Sequence, residues 1–141
     1  MPRTKITLPK TFSFSSRISI RITDINYGNH LGNDALLGLL HEARVRYLNQ
    51  YGYSEKNIEG AGIIMADAVI NYQSQGSWGQ ELIIEIAPGE PDRIGLDLFY
   101  RLTDKKSGQE VARAKTYISF FSYKQNKRVS PPPEFINKIK K

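Results

Sequence analysis

A chain of 141 residues suits one domain, and 40 % hydrophobic with 24 % charged residues speaks against both a disordered polymer and a membrane protein. The absence of cysteine excludes disulfides, a thiolate nucleophile and cysteine-bound zinc or iron–sulfur sites. With 20 Lys and Arg against 14 Asp and Glu the formal charge is +6, which favours an anionic partner without choosing between nucleic acid, an acidic surface and a phosphate-bearing small molecule.

No apolar run approaches the roughly 20 residues of a spanning helix, and the start MPRTKITLPK lacks a signal-peptide core, so a cytoplasmic protein with no membrane partner is expected. The only histidines, His30 and His41, cannot build a three-histidine zinc site. His41-Glu42-Ala43-Arg44-Val45 departs from HExxH at Val45, and no metal is expected. Part of the basic surplus lies at the chain ends, in Arg3, Lys5 and Lys10 and again from Lys124 to Lys141, where it can be merely solubilising. Net charge alone speaks for nucleic acid, which is therefore not an expected partner.

In chain order, Phe12 to Ile22 alternates Ile18, Ile20 and Ile22 against Arg17, Ser19 and Arg21, the period of a strand with one buried face. This strand delivers Asp24 to a polar loop holding Asn26, Gly28, His30, Gly32 and Asn33. A helical pattern then starts near Asp34, with Leu36, Leu37, Leu39, Leu40, Ala43, Tyr47 and Leu48 at intervals of three and four. It predicts one helix of about 17 residues, ending at Tyr51-Gly52, with a stripe wide enough to be covered on more than one side.

After a connection from Tyr53 to Ala61 the chain turns to strands: Gly62 to Gln73, Glu81 to Ala87, a strict alternation from Ile94 to Leu102, and a last long run from Val111 to Phe121. Turn signals at Gly76-Ser77, Pro88-Gly89 and Asp104 to Gly108 leave no room for helical crossovers, so a largely antiparallel sheet is predicted. Ser130-Pro131-Pro132-Pro133 ends the strands, and Glu134 to Lys141 reads as a short terminal helix. No repeat or linker divides residues 1–141. The α+β class follows, with an antiparallel sheet wrapped around one long central helix in a single domain.

The loop and helix carry a family resemblance. Asp24, Asn26, His30 and Asn33, with Arg44 closing the helix, resemble the D-x-[DN]-x-x-G-H-x-x-N turn and E-x-x-R-like helix end of hot-dog fold acyl-CoA thioesterases of the 4-hydroxybenzoyl-CoA thioesterase type, with echoes of acyl-carrier-protein thioesterases. Asn71-Tyr72, Gly79 with Glu81-Leu82, and Arg128 to Pro133 look like later landmarks of that family. The chain departs from it at Gly28-Asn29-His30, where the glycine is displaced, at His41 in place of an acid, and at Gln80 in place of an aspartate.

The resemblance implies a hot-dog fold, hydrolysis of an acyl-CoA or acyl-carrier thioester, no cofactor beyond the coenzyme A of the substrate, and a homodimer or homotetramer with shared sites. Thioester hydrolysis needs an activated water or carboxylate nucleophile and donors for the developing oxyanion. Asp24 is the expected base or nucleophile, with His30 or Asn26 orienting water or the carbonyl. Backbone N–H groups from Leu31 to Asp34 would form the oxyanion site. Gly32, Asn33 and Tyr72 are the expected substrate contacts, and Arg113, Lys127 and Arg128 the candidates for coenzyme A phosphates. Asn33 or Asp34 could equally serve only as a helix cap, His30 could be structural, and Glu42 is the reserve acid. The competing reading is a non-hydrolytic hot-dog module that binds an acyl ligand or acyl carrier.

Overall fold

The structure, a computed structural model, describes residues 4–140. Strand β1 (Phe14–Ser19) runs through a 3-10 turn (Ile22–Asp24) and a loop into helix α1 (Asn33–Asn49). There follow β2 (Gly62–Tyr72), β3 (Glu81–Pro88), β4 (Gly95–Asp104), β5 (Glu110–Ser122), the short β6 (Lys127–Arg128) and helix α2 (Pro133–Ile139). The six strands form one sheet in the order β1-β3-β4-β5-β2, with β6 on β5, and all pairings are antiparallel.

The alternation in β3, β4 and β5 decides which face meets the helix. Leu82, Ile84 and Ile86, then Leu96, Leu98, Tyr100 and Leu102, then Ala112, Ala114, Ile118 and Phe120 are buried and belong to the same core as Leu36, Leu39, Leu40, Ala43, Tyr47 and Leu48 of α1. Each large aliphatic side chain in this set contributes about 1.5–3 kcal/mol by leaving water, enough to hold α1 against the sheet without help from its caps. Helix α2 closes one end, with the Phe135 ring 5.4 Å from that of Phe120 and 5.9 Å from that of Tyr53.

Two features differ from the periodicity. Strand β1 stops at Ser19, because the backbone turns at Ile22–Asp24 and leaves Ile22 60 % exposed instead of on the inner face. Among the described residues β2 has β5 as its one strand partner; on its other edge Ile63 N–H donates to Glu55 O at 2.9 Å, no strand pairs beyond it, and Ile64 and Met65 on successive, opposite-facing positions are each 45 % exposed. Among the described residues no helix is long and apolar enough to cross a membrane.

Candidate active site

The loop between the 3-10 turn and α1 is built from its own backbone. Asn26 N–H donates to His30 O at 2.9 Å, Asn29 N–H to Asn26 O at 3.0 Å and Gly32 N–H to Asp24 O at 3.0 Å, while Leu31 N–H reaches Gly76 O at 2.9 Å in the loop after β2. Asn26 Oδ1 accepts from Gly28 N–H at 2.9 Å and His30 N–H at 3.3 Å, an Asx turn in which its amide Nδ2 has no partner among the described residues. The displaced glycine acquires a clear meaning here. The left-handed conformation falls on Asn29 (φ 65°), directly before His30, and Gly28 stays outside it. Asparagine tolerates this region better than other non-glycine residues, so the turn keeps its shape without glycine at that position.

Gly32 is the N-cap of α1, and no side chain caps the helix. Leu31 and Gly32 have already spent their N–H groups in the loop, and Leu36 N–H donates to Gly32 O at 3.0 Å. The groups left to bind an anion are therefore those of Asn33, Asp34 and Ala35; of the Leu31 to Asp34 set expected from the sequence the loop's own hydrogen bonds take the first two.

Two cavities flank this loop. The first, about 440 Å³, is lined by Asn26, His30, Leu31, Asn33 and Leu36 on the loop and helix side, by Tyr72 and Val111 from the sheet, and by Gln73 to Gly76 after β2. His30 Nδ1 is buried there with no hydrogen-bond partner among the described residues. Partial burial pushes the Tyr72 phenol up from its ordinary range, which keeps it a hydrogen-bond donor. The second, about 580 Å³, lies against β1 and carries Arg17, Arg21 and Arg46 with Asp24, Asp34 and Glu42.

Asn26, His30, Asn33 and Tyr72 thus meet in the first cavity, and Asp24 lines the other. The Asp24 carboxylate is buried and committed: Oδ2 accepts the Arg21 backbone N–H at 2.8 Å, and the Arg21 guanidinium reaches Oδ1 at 3.3 Å. The remaining candidates are dispersed. Arg113 lines a separate cavity of about 330 Å³ beside Tyr72, where it pairs with both oxygens of Glu110 at 2.7 and 2.8 Å. Lys127 and Arg128 sit on β6 beside Phe121, and Tyr72 pairs with Ala112 at the far end of β5, about 30 Å away along the strand.

Sequence reasoning missed a polar network under α1. Arg44, only 6 % exposed, donates from Nε to Glu55 Oε2 at 2.7 Å and from Nη1 to the Tyr100 hydroxyl at 3.3 Å. His41 Nε2 lies 2.7 Å from Glu55 Oε1, and the Tyr100 hydroxyl 2.7 Å from Thr116 Oγ1. Burial would lower the Arg44 guanidinium, but Tyr100 and Glu55 more than offset this and hold it charged. The hint in the sequence was Arg44 itself, read there only as the close of the helix motif, while Glu55, Tyr100 and Thr116 carried no signal of their own. Among the described residues no group of three or more His, Asp or Glu is placed to hold a metal ion.

Residues 20–139 match the thioesterase-like superfamily. Solved structures share the fold: a 1,4-dihydroxy-2-naphthoyl-CoA thioesterase from Synechocystis (TM-score 0.81, 19 % identity, covering 89 % of this chain and 94 % of that one) is one. A hypothetical protein from Aquifex aeolicus (TM-score 0.80, 17 % identity, 89 % and 98 % covered) and a DHNA-CoA thioesterase from Staphylococcus aureus (TM-score 0.77, 15 % identity, 87 % and 85 % covered) are others. No curated protein is significantly similar in sequence. The six-stranded antiparallel sheet around α1, together with the match over residues 20–139, makes this chain a hot-dog fold member of the thioesterase-like superfamily.

Proposed function

We propose that the protein hydrolyses an acyl-CoA thioester, or the equivalent thioester on an acyl carrier, in the cavity at the N-terminus of α1. The observation that carries this reading is the meeting of the His30 imidazole, the Asn26 carboxamide and the uncapped start of α1 in one cavity. A carboxylate-assisted route would need Asp24 there, and Asp24 is tied to Arg21 in the neighbouring cavity. His30 is the imidazole that lines this cavity, a side chain able to accept a proton and return it within one reaction. It accepts a proton from water as the water oxygen attacks the thioester carbonyl. The tetrahedral oxyanion lies against the Asn33 N–H and Asn26 Nδ2, and the C–S bond then breaks as His30 returns the proton to the departing thiolate. A positioned base supplies about 10²–10⁴-fold, and one oxyanion donor about 2.7–4 kcal/mol.

The assembly that completes the site is a homodimer joined through the exposed edge of β2. Beyond Ile63, whose N–H is taken by Glu55 O, that edge runs from Ile64 to Tyr72, so a second copy pairing along it would wall the cavity. A panel of acyl-CoA and acyl-carrier thioesters, read by free-thiol release, tests the activity. Thiol release that depends on His30 is the expected result; tight acyl-CoA binding with no thiol release would instead make the protein a binding module.

A further inference from the structure

The loop after β2 serves two cavities. Its first half, Gln73 to Gly76, lines the candidate active site, and its second half borders a surface cavity of about 710 Å³ lined by Trp78, Gly79, Glu81, Asp104, Lys105 and Lys106. Gly76 of the first lining and Trp78 of the second are two residues apart, at most about 7 Å of backbone.

A tight turn holds Trp78 in solvent. Gln80 N–H donates to Ser77 O at 3.2 Å, Ser77 N–H to Gln80 Oε1 at 2.6 Å, and Gly79, left-handed at φ 90°, donates to Ile20 O at 3.0 Å. Ile20 N–H in turn donates to Gln80 O at 2.9 Å, which fastens the turn to a residue whose side chain is in the core. The indole remains 66 % exposed at the end of this support. Nearby acids are already engaged: Glu81 pairs with Lys105 at 3.1 Å, and Asp104 Oδ2 accepts from the Ser107 N–H at 3.0 Å and hydroxyl at 2.6 Å. Lys106 has no ion-pair partner among the described residues.

We propose that this surface seats the adenine nucleotide end of a coenzyme A thioester, a conclusion that rests on the thioesterase reading of the neighbouring cavity. The Trp78 indole stacks on the adenine, Lys106 meets a phosphate, and the pantetheine arm passes Gly76 to bring the thioester to His30. A flat aromatic platform beside one free ammonium fits a nucleotide, which offers a π-face and negative charge together. A carrier protein presents the same pantetheine arm without the nucleotide, so the surface selects coenzyme A over a carrier.

The chain has a single tryptophan, so its fluorescence reports this surface directly. Titration with adenosine 3′,5′-bisphosphate should give saturable quenching that weakens about three-fold in Lys106→Ala. For an acyl-CoA, Trp78→Ala should raise KM about ten-fold with kcat little changed, and Trp78→Phe should restore most of the loss. The same acyl group on N-acetylcysteamine, which lacks the nucleotide, should be hydrolysed alike by wild type and Trp78→Ala. Absence of quenching, equal losses on both thioesters, or a change of assembly size in Trp78→Ala would overturn the assignment. Failure of every thioester to release thiol would count against the thioesterase reading, while the titration still judges the nucleotide surface.

Discussion

Asp24 and Arg21 close the turn that precedes the candidate site: Asp24 Oδ2 accepts the Arg21 backbone N–H at 2.8 Å, and Asp24 O accepts the Gly32 N–H at 3.0 Å. Asp24 is therefore a positioning residue, and His30 the catalytic one, in the proposed mechanism. Asp24→Asn should lower stability by about 1 kcal/mol in urea denaturation and leave kcat within about ten-fold. His30→Gln should keep stability and lower kcat by about 10²–10⁴-fold. The reverse pattern would return the base to Asp24.

Asn29 carries the left-handed backbone before His30. Asn29→Gly should stabilise the fold by about 0.5–1 kcal/mol, since glycine adopts this region without a side-chain penalty. Asn29→Val should destabilise it by about 1–2 kcal/mol and slow turnover by moving His30. Thermal melting and thiol release on the two variants check both effects.

The Arg44–Glu55 pair spans the space beneath α1. Glu55→Gln leaves the nearly buried Arg44 guanidinium without its counter-charge and should cost about 3 kcal/mol, whereas Arg44→Met leaves the more exposed Glu55 carboxylate, still beside His41, and should cost about 1–2 kcal/mol. Burial alone would push the Glu55 carboxyl up, but hydrogen bonds from Arg44 and His41 hold it below the usual range. A carboxyl lowered in the folded state stabilises fully above its unfolded value, about 4.3, and that contribution disappears as pH falls through the lower folded value. Urea midpoints taken from pH 6 down to pH 3 should therefore fall less steeply in Glu55→Gln than in wild type. Asp92, held low by the Tyr117 hydroxyl at 2.7 Å and by backbone N–H groups, adds a similar acid dependence that Tyr117→Phe should reduce.

The exposed edge of β2 beyond Ile63 makes the proposed dimer testable. Lysine at both Ile64 and Met65 places a charge on each face of the exposed edge, which opposes strand addition. Sedimentation of Ile64→Lys/Met65→Lys should shift the protein from dimer to monomer, and turnover should fall with it because the cavity loses a wall. A wild type that sediments as a monomer at all concentrations would dismiss the dimer.

The sequence by itself determined the parts that depend on local periodicity. The three-and-four spacing from Leu36 to Leu48 reappears as α1 (Asn33–Asn49), and the strict alternation around Leu96 to Leu102 as the inner face of β4, because burial of one face leaves its period in the chain. The same rule misplaced Ile22, since a turn set by Asp24 and Arg21 ends the strand before the alternation does. Only the tertiary structure decided which cavity each loop side chain serves. That division depends on bonds such as Leu31 N–H to Gly76 O, between segments far apart in the chain. Arg44 and Tyr100, 56 residues apart, likewise meet only because β4 runs beneath α1. Periodicity records that a side chain is buried; its partner is fixed by how the sheet curves around the helix.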